Sequence, residues 1–239
     1  MTARSLSLVV PVFNGQDLAC AAVRALPSLE QTAASCGFEL VEAIFVDDGS
    51  APPLELSGSK CRVIRMEANR GKGAAVRCGA LAAKGEWVLM SDVDMSAPFT
   101  EFAQLARRTD VWMVCGSRHG RKGMPFRRRI LSGLFHIFVW CVGVRGVHDT
   151  QCGFKLFRMD VMRAVFERQR IERFSFDVEL IRRVLRAGGT VAEVPIAWYG
   201  GRRSSLRIFR DAPKMLWDLL RLVSPFANNL HSGLTIRQE

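Results

Sequence analysis

Four short, mainly apolar runs, Leu6–Val12, Glu39–Val46, Cys61–Met66 and Trp87–Met90, alternate with polar loops and with Ala/Leu-rich stretches of helical spacing. Runs of that length suit buried strands, and regular strand–helix alternation folds into an open, mostly parallel α/β sheet flanked by helices. Gln16–Ala34 is the first expected helix and Ala74–Ala83 the second. The first run breaks at Pro-Val-Phe-Asn-Gly, and the second ends in Asp47-Asp48-Gly49-Ser50. In such sheets ligands bind outside the carboxyl ends of the strands, which is where these loops fall.

The fourth run ends in acids. Gly85–Pro98 reads GEWVLMSDVDMSAP, so Asp92 and Asp94 follow the strand at a spacing of two. Two close carboxylates repel, and a divalent cation or a positive ligand between them relieves the repulsion. Oxygen ligands of this kind suit Mg²⁺ or Mn²⁺, which also bind substrate phosphates. The alternative reading is that the two aspartates cap the next helix. Just upstream, Asn69-Arg70-Gly71-Lys72-Gly73 opens the second helix, and a glycine-rich backbone with Arg and Lys at a helix N-terminus is a natural phosphate or nucleotide contact. The full P-loop pattern is missing.

Composition narrows the partners. With 34 Lys+Arg against 23 Asp+Glu, the net charge of +11 implies an anionic partner: nucleic acid, a nucleotide diphosphate or an anionic membrane. Seven cysteines without Cys-x-x-Cys spacing predict reduced, mostly buried thiols and a cytosolic compartment, with neither a zinc site nor a disulfide frame. The first run begins at Leu6, which predicts no signal peptide. Ile130–Val144, the longest apolar stretch, is shorter than the ~20 residues of a spanning helix and predicts a core or interfacial one.

Beyond Pro98 the pattern predicts a helix over Phe99–Arg108, a strand over Val111–Gly116, and then the basic run Arg118, Arg121, Lys122, Arg127, Arg128 and Arg129. A charge run is ordinarily a solvated face. Next to the amphipathic Ile130–Val144 segment it fits a phosphate-binding, membrane-facing surface. Helices over Asp160–Glu167 and from Phe174 to Ala187, a strand over Thr190–Pro195, a second basic cluster at Arg202–Arg210 and an amphipathic helix over Pro213–Val223 complete the chain. One domain over residues 1–223 with a tail over 224–239 is expected.

Taken together, Pro11-Val12-Phe13-Asn14, Val46-Asp47-Asp48-Gly49-Ser50, Asn69–Gly73, Asp92-Val93-Asp94 and Gly116-Ser117-Arg118 resemble the inverting family 2 glycosyltransferases of the GT-A fold. The more specific segments are Phe135-His136, Val139-Trp140, Gly143-Val144, the run Asp149–Phe157 (DTQCGFKLF) and Phe176-Asp177-Val178-Glu179-Leu180. Within the family they are similar to the polyprenyl-phosphate sugar synthases, the dolichyl-phosphate β-glucosyltransferases above all. The resemblance spans about residues 6–223.

That resemblance implies a Rossmann-like GT-A sheet with C-terminal amphipathic helices. It implies transfer of a hexose, glucose before mannose, from UDP-glucose or GDP-mannose to a polyprenyl phosphate. Mg²⁺ or Mn²⁺ would assist, at the cytoplasmic face of an anionic membrane to which the protein binds peripherally. Nucleotide-sugar contacts are implied for Pro11, Phe13, Asn14, Val46, Asp48, Lys72, Asp92, Val93 and Asp94, with Pro11, Phe13, Val46 and Asp48 lining the base and ribose pocket. Asp94 is the implied direct metal ligand, with Asp92 beside it and Ser96 as a third. Arg118 and Arg128 are implied to hold the acceptor phosphate and to neutralise the donor diphosphate.

Two departures stand out. Gly15 replaces a glutamate that helps hold the base in many relatives, and Ser204-Ser205-Leu206 replaces a Ser-Lys-Leu pattern, leaving Arg202, Arg203 or Arg207 to supply the charge. The amino-terminal anchor of the eukaryotic glucosyl members is not expected here.

A phosphate acceptor is already an anionic nucleophile and needs cations only. A glycan or other hydroxyl acceptor would need a base, for which Asp149 or Asp177 could serve unless each pairs an arginine structurally. A non-catalytic protein binding nucleic acid or membrane is the remaining reading. It lacks interleaved aromatic platforms and any RNA motif, so no nucleic-acid partner is expected.

Overall fold

Strand β1 (Arg4–Val12) threads the middle of a seven-stranded sheet of order β3-β2-β1-β4-β6-β5-β7. The other strands are β2 (Phe38–Asp47), β3 (Cys61–Arg65), β4 (Trp87–Ser91), β5 (Met113–Ser117), β6 (Phe154–Arg158) and β7 (Val191–Pro195). This computed structural model describes residues 2–118, 137, 139–199, 217, 218, 220 and 222. Every pairing is parallel except the two made by β6, which runs against β4 and β5.

The predicted strands are all present, within one or two residues at each end. Strand β6 was not predicted. Its central Lys155 interrupts the apolar run, yet it pairs with Met90 of β4 and Cys115 of β5 in the middle of the sheet.

Alternation along the strands sends side chains to two separate cores. On one face Val9, Ile44, Val46, Met90, Cys115 and Phe157 pack under α2 (Lys72–Ala82), α4 (Met159–Glu167) and α5 (Phe176–Arg186). On the other, Leu8, Val10, Phe45, Leu89, Val114 and Leu156 meet α1 (Gln16–Ser35) and the single-turn α3 (Phe102–Leu105). Phe38 holds that face together edge-on to Trp87 and Phe102, at centroid distances of 6.0 and 5.2 Å.

Two expectations need correction. The helix predicted over Phe99–Arg108 is a 3₁₀ turn at Phe99–Glu101 followed by α3, because Phe99, Phe102 and Leu105 already bury its apolar face. The cysteines are all free thiols, but only Cys115 and Cys152 are buried, and Cys141 is exposed. Most of Ile130–Val144 and of Pro213–Val223, together with Arg202–Arg210 and the 224–239 tail, lies outside the described residues. Of those two apolar segments, Ile137, Val139–Cys141, Trp217, Asp218, Leu220 and Leu222 are helical.

The register places the ends of β1, β2, β4 and β5 and the start of β6 on one edge. Val12 is level with Asp47, and Ser91 with Phe154. Among the described residues, the loops after β1, β2, β4 and β5 and the one before β6 therefore open on that edge.

Candidate active site

Asp92 leaves the end of β4 and is caught from two sides. Lys72, the first residue of α2, brings its Nζ to 2.5 Å from Asp92 Oδ1. The Asp92 amide donates to the Gly153 carbonyl at 3.0 Å. The carboxylate lies over the Gly153 Cα so closely that a Cβ there would stand 1.9 Å from Oδ2. A side chain at 153 would force the Asp92 carboxylate or the turn to move.

The chain then turns sharply. Met95 donates its amide to the Asp92 carbonyl at 3.1 Å with a left-handed φ of 47°, and Ser96 donates its amide to Asp94 Oδ1 at 3.0 Å. This turn presents Asp92, Asp94 and Ser96 together. Ser96 Oγ is buried with no hydrogen-bond partner among the described residues, at a cleft lined by Asp92, Cys152, Gly153 and Trp198. A hydroxyl oxygen of that kind beside two carboxylates fits a hard divalent cation, which takes one or two carboxylates and completes its shell with water and phosphate. No group of three or more His, Cys, Asp or Glu side chains that could cage a metal occurs among the described residues.

The glycine loop is a rigid shelf beside these acids. The Asp48 carboxylate accepts the amides of Arg70 and Gly71, each at 2.8 Å. Burial pushes the Asp48 carboxyl above its ordinary value, against the pull of those two amides. Gly71 and Gly73 lie so near the Ile171 and Glu172 carbonyls that a Cβ on either would come within 2.7 Å. Arg70 pairs with Glu172. On the β2 side, Asp47 accepts the amides of Ser50 and Leu54 and the Arg65 guanidinium, fixing the Asp-Asp-Gly-Ser loop. Asn14 takes part in the same loop, its amide donating to Ser50 Oγ and its Oδ1 accepting from Ala51.

The expected nucleotide contacts therefore divide. Phe13, at 52% exposure, is an open apolar ring at the edge, with Pro11 half-buried beside it. Val93 is half-buried in the core on the α1 face of the sheet. Val46 is enclosed: it is 0% exposed and packs against Gly79, so it backs the sheet rather than lining an open pocket. Asp48 acts on the shelf loop through two backbone amides.

Arg118, just past β5, forks onto Asp149. Nε reaches Oδ2 at 2.7 Å and Nη2 reaches Oδ1 at 2.6 Å, while its own amide also donates to Oδ2. Trp198 lies beneath the guanidinium, 5.6 Å from ring centroid to Cζ. Burial would lower the arginine and raise the aspartate. The pair's attraction outweighs it, so Arg118 titrates higher and Asp149 lower than usual. Asp149 is a carboxylate that pairs an arginine. Arg128, Arg202, Arg203 and Arg207 lie outside the described residues.

One residue escaped the sequence reading. Lys155 is wholly buried, with Nζ 2.8 Å from Asp177 Oδ1. Burial alone would lower its ammonium, and the Asp177 carboxylate reverses that and holds it above the ordinary lysine value. The available signal was a lysine inside an otherwise apolar strand, Phe154-Lys155-Leu156-Phe157.

Residues 7–166 match the model of glycosyl transferase family 2. The chain is a family 2 glycosyltransferase. A protein of Dictyostelium discoideum named dolichyl-phosphate beta-glucosyltransferase is 32% identical over 91% of this chain and 73% of its own length. The human and mouse proteins of that name are 33% and 36% identical, each over 91% of this chain and 74% of theirs. Among solved structures, glucosyl-3-phosphoglycerate synthase from Mycobacterium tuberculosis, in complex with Mn²⁺, UDP-glucose and phosphoglyceric acid, superposes with a TM-score of 0.66. It is 16% identical and covers 93% of this chain and 81% of that one. Mannosyl-3-phosphoglycerate synthase from Rubrobacter xylanophilus gives 0.56 at 15% identity, over 98% and 77%. The glycosyltransferase thus has the GT-A fold its motifs implied.

Proposed function

We propose that this glycosyltransferase moves glucose from UDP-glucose, with inversion at the anomeric carbon, onto a polyprenyl phosphate of the dolichyl type. The observation that carries this reading is the state of the two candidate bases. Asp149 is forked by Arg118, and Asp177 is buried against Lys155, so each carboxylate is committed to a cation. A hydroxyl acceptor would need one of them free to take a proton. An anionic phosphate oxygen needs none. The names of the relatives, dolichyl-phosphate beta-glucosyltransferases, favour the same acceptor and sugar.

In this reading the acceptor phosphate oxygen attacks C1 of the glucose. The C1–O bond to UDP breaks, and its electron pair goes to the diphosphate. Asp94, Asp92 and the Ser96 hydroxyl would hold Mg²⁺ or Mn²⁺. When bound, the ion supplies positive charge against the leaving oxygens. Lys72 sits where it can face the same oxygens. At an effective dielectric of ~20, a unit pair ~4 Å apart contributes ~4 kcal/mol. Phe13 offers its exposed ring to the uracil, and the Asn69–Gly73 shelf bounds the nucleotide. Arg128, Arg202, Arg203 and Arg207 are the cations proposed for the acceptor phosphate, while Arg118 stays on Asp149.

The reaction takes place at a bilayer. No helix among the described residues is long and apolar enough to cross a membrane. Ile137, Trp140, Trp217 and Leu220 are 48–59% exposed, whereas Val139 and Leu222 turn into the core, so these helical segments are amphipathic. With the basic runs they suit peripheral docking on the anionic cytoplasmic leaflet. Nucleic acid has no place in this reading.

The deciding experiment measures UDP release with a polyprenyl phosphate present. Release should require both the lipid phosphate and Mg²⁺ or Mn²⁺, and should be much faster than GDP release from GDP-mannose. Release that proceeds equally with a sugar-hydroxyl acceptor and no lipid would replace this reading with that of a glycan transferase.

A further inference from the structure

We infer that Lys155 is a positioning residue for Asp92, acting through the Cys152–Gly153 turn and anchored by Asp177. The inference rests on the reading of Asp92 as part of the donor and metal site, and the chain of contacts is short. Lys155 stands on β6 level with Met90 of β4, and its ammonium donates to the Cys152 carbonyl while pairing with Asp177 in the first turn of α5. The next residue after Cys152 is Gly153. Its carbonyl accepts the Asp92 amide at 3.0 Å, and its bare Cα leaves the space that the Asp92 carboxylate fills.

A buried ammonium is an expensive way to hold a turn. A lysine that is 0% exposed, paired with an aspartate that is 2% exposed, is no better for stability than a well-packed apolar pair. What the ion pair adds is direction. The ammonium donates to the Cys152 carbonyl while Asp177 holds its charge, which narrows where that carbonyl, and Gly153 next to it, can lie. Asp92 is thereby held where Lys72 of α2 meets it at 2.5 Å. The Lys155–Asp177 pair holds the Cys152 carbonyl next to Gly153, and the Lys72–Asp92 pair holds the acid against that glycine.

The test uses Lys155→Met/Asp177→Leu, which replaces the buried ion pair by apolar side chains of comparable volume. Amide hydrogen exchange on the free protein is expected to be at least ~10-fold faster at Asp92, with the β1–β2 amides unchanged. Mn²⁺ affinity in the presence of UDP, read by electron paramagnetic resonance, is expected to fall ~10-fold. Unchanged exchange at Asp92 overturns the inference, and so does acceleration spread evenly through the sheet, which marks a general structural role. If the double variant does not fold, Asp177→Asn keeps the Lys155 donor and removes only its counter-charge. It should show the same local acceleration to a smaller degree, and wild-type exchange there overturns the inference equally. A wild-type protein that binds no Mn²⁺ with UDP removes the metal reading of Asp92, while the exchange comparison still judges Lys155.

Discussion

Lys72 Nζ lies 2.5 Å from Oδ1 of Asp92, so the first acid of the Asp-x-Asp pair already has a cation, whereas no described residue forms an ion pair with Asp94. The two acids are therefore unequal. Asp92 is a fixed neutral pair at the sheet edge, and Asp94 is the carboxylate with charge to spare for a ligand.

Replacing Asp94 by Asn should lower turnover by ~10²–10³-fold, the scale of losing one charge-stabilising group in a transition state. Thermal stability should be unchanged. Asp110→Asn is the control, since among the described residues Asp110 pairs with Arg108 alone, at the surface and outside every motif. Steady-state UDP release at saturating Mn²⁺ checks this, and near-normal rates in Asp94→Asn would remove the metal role.

Gly153→Ala puts a Cβ 1.9 Å from the Asp92 carboxylate, so the acid or the turn must move. Destabilisation of ~1–3 kcal/mol is expected, as for an overpacked site. Activity should fall much further than in Phe166→Leu, a core change of similar cost away from the edge. Denaturant titration paired with kinetics tells the two apart.

Acid should unfold the protein partly through Asp47. Burial raises its carboxyl, but bonds from Ser50, Leu54 and Arg65 outweigh that and hold it below the ordinary 3.8. A depressed carboxyl contributes stability that is complete above the unfolded value and lost as pH falls through the folded one. Asp47→Asn should thus cost ~1–3 kcal/mol at pH 7 and progressively less below pH ~4. Urea unfolding across that range gives the answer, and a cost independent of pH would contradict it.

Membrane docking predicts that Trp140→Glu weakens binding to anionic vesicles, since Trp140 is 58% exposed on a helical segment whose Val139 faces the core. Flotation at low salt should show the loss. In the wild type, binding should fade at ~1 M salt, where the Debye length is only ~3 Å. Wild-type binding that persists in high salt, or a variant that binds as well, counts against peripheral docking through this face.

The parallel strands could be read from the sequence because each is a short, mainly apolar run between polar loops, and the acids could be read because they end one. Lys155 could not, because what makes a lysine tolerable inside a sheet is Asp177, a partner 22 residues further on. For the same reason β6 went unread. Arg118 was legible as a cation at a strand end, but its committed state depends on Asp149, 31 residues away. Val46 was legible as part of a motif, and only the helix packed over it through Gly79 shows that it faces inward. Local pattern fixes which chemistry reaches the edge, whereas pairing over distance decides which groups arrive already engaged.

The reversed direction of β6 has a consequence for how such a chain can diversify. β5 leaves the sheet at Ser117 and β6 re-enters at Phe154, side by side on the same edge. The chain between them leaves and returns at adjacent points, and both of its ends are tied into the site, Arg118 to Asp149 and Gly153 to Asp92. The donor side is therefore finished only when the chain has come back: Asp92 waits for Gly153, and the Gly71–Gly73 shelf for Ile171 and Glu172. A change grafted between these ends that keeps Asp149 and Gly153 leaves Arg118 and Asp92 where they are, and one that loses either disturbs both sides of the seam at once.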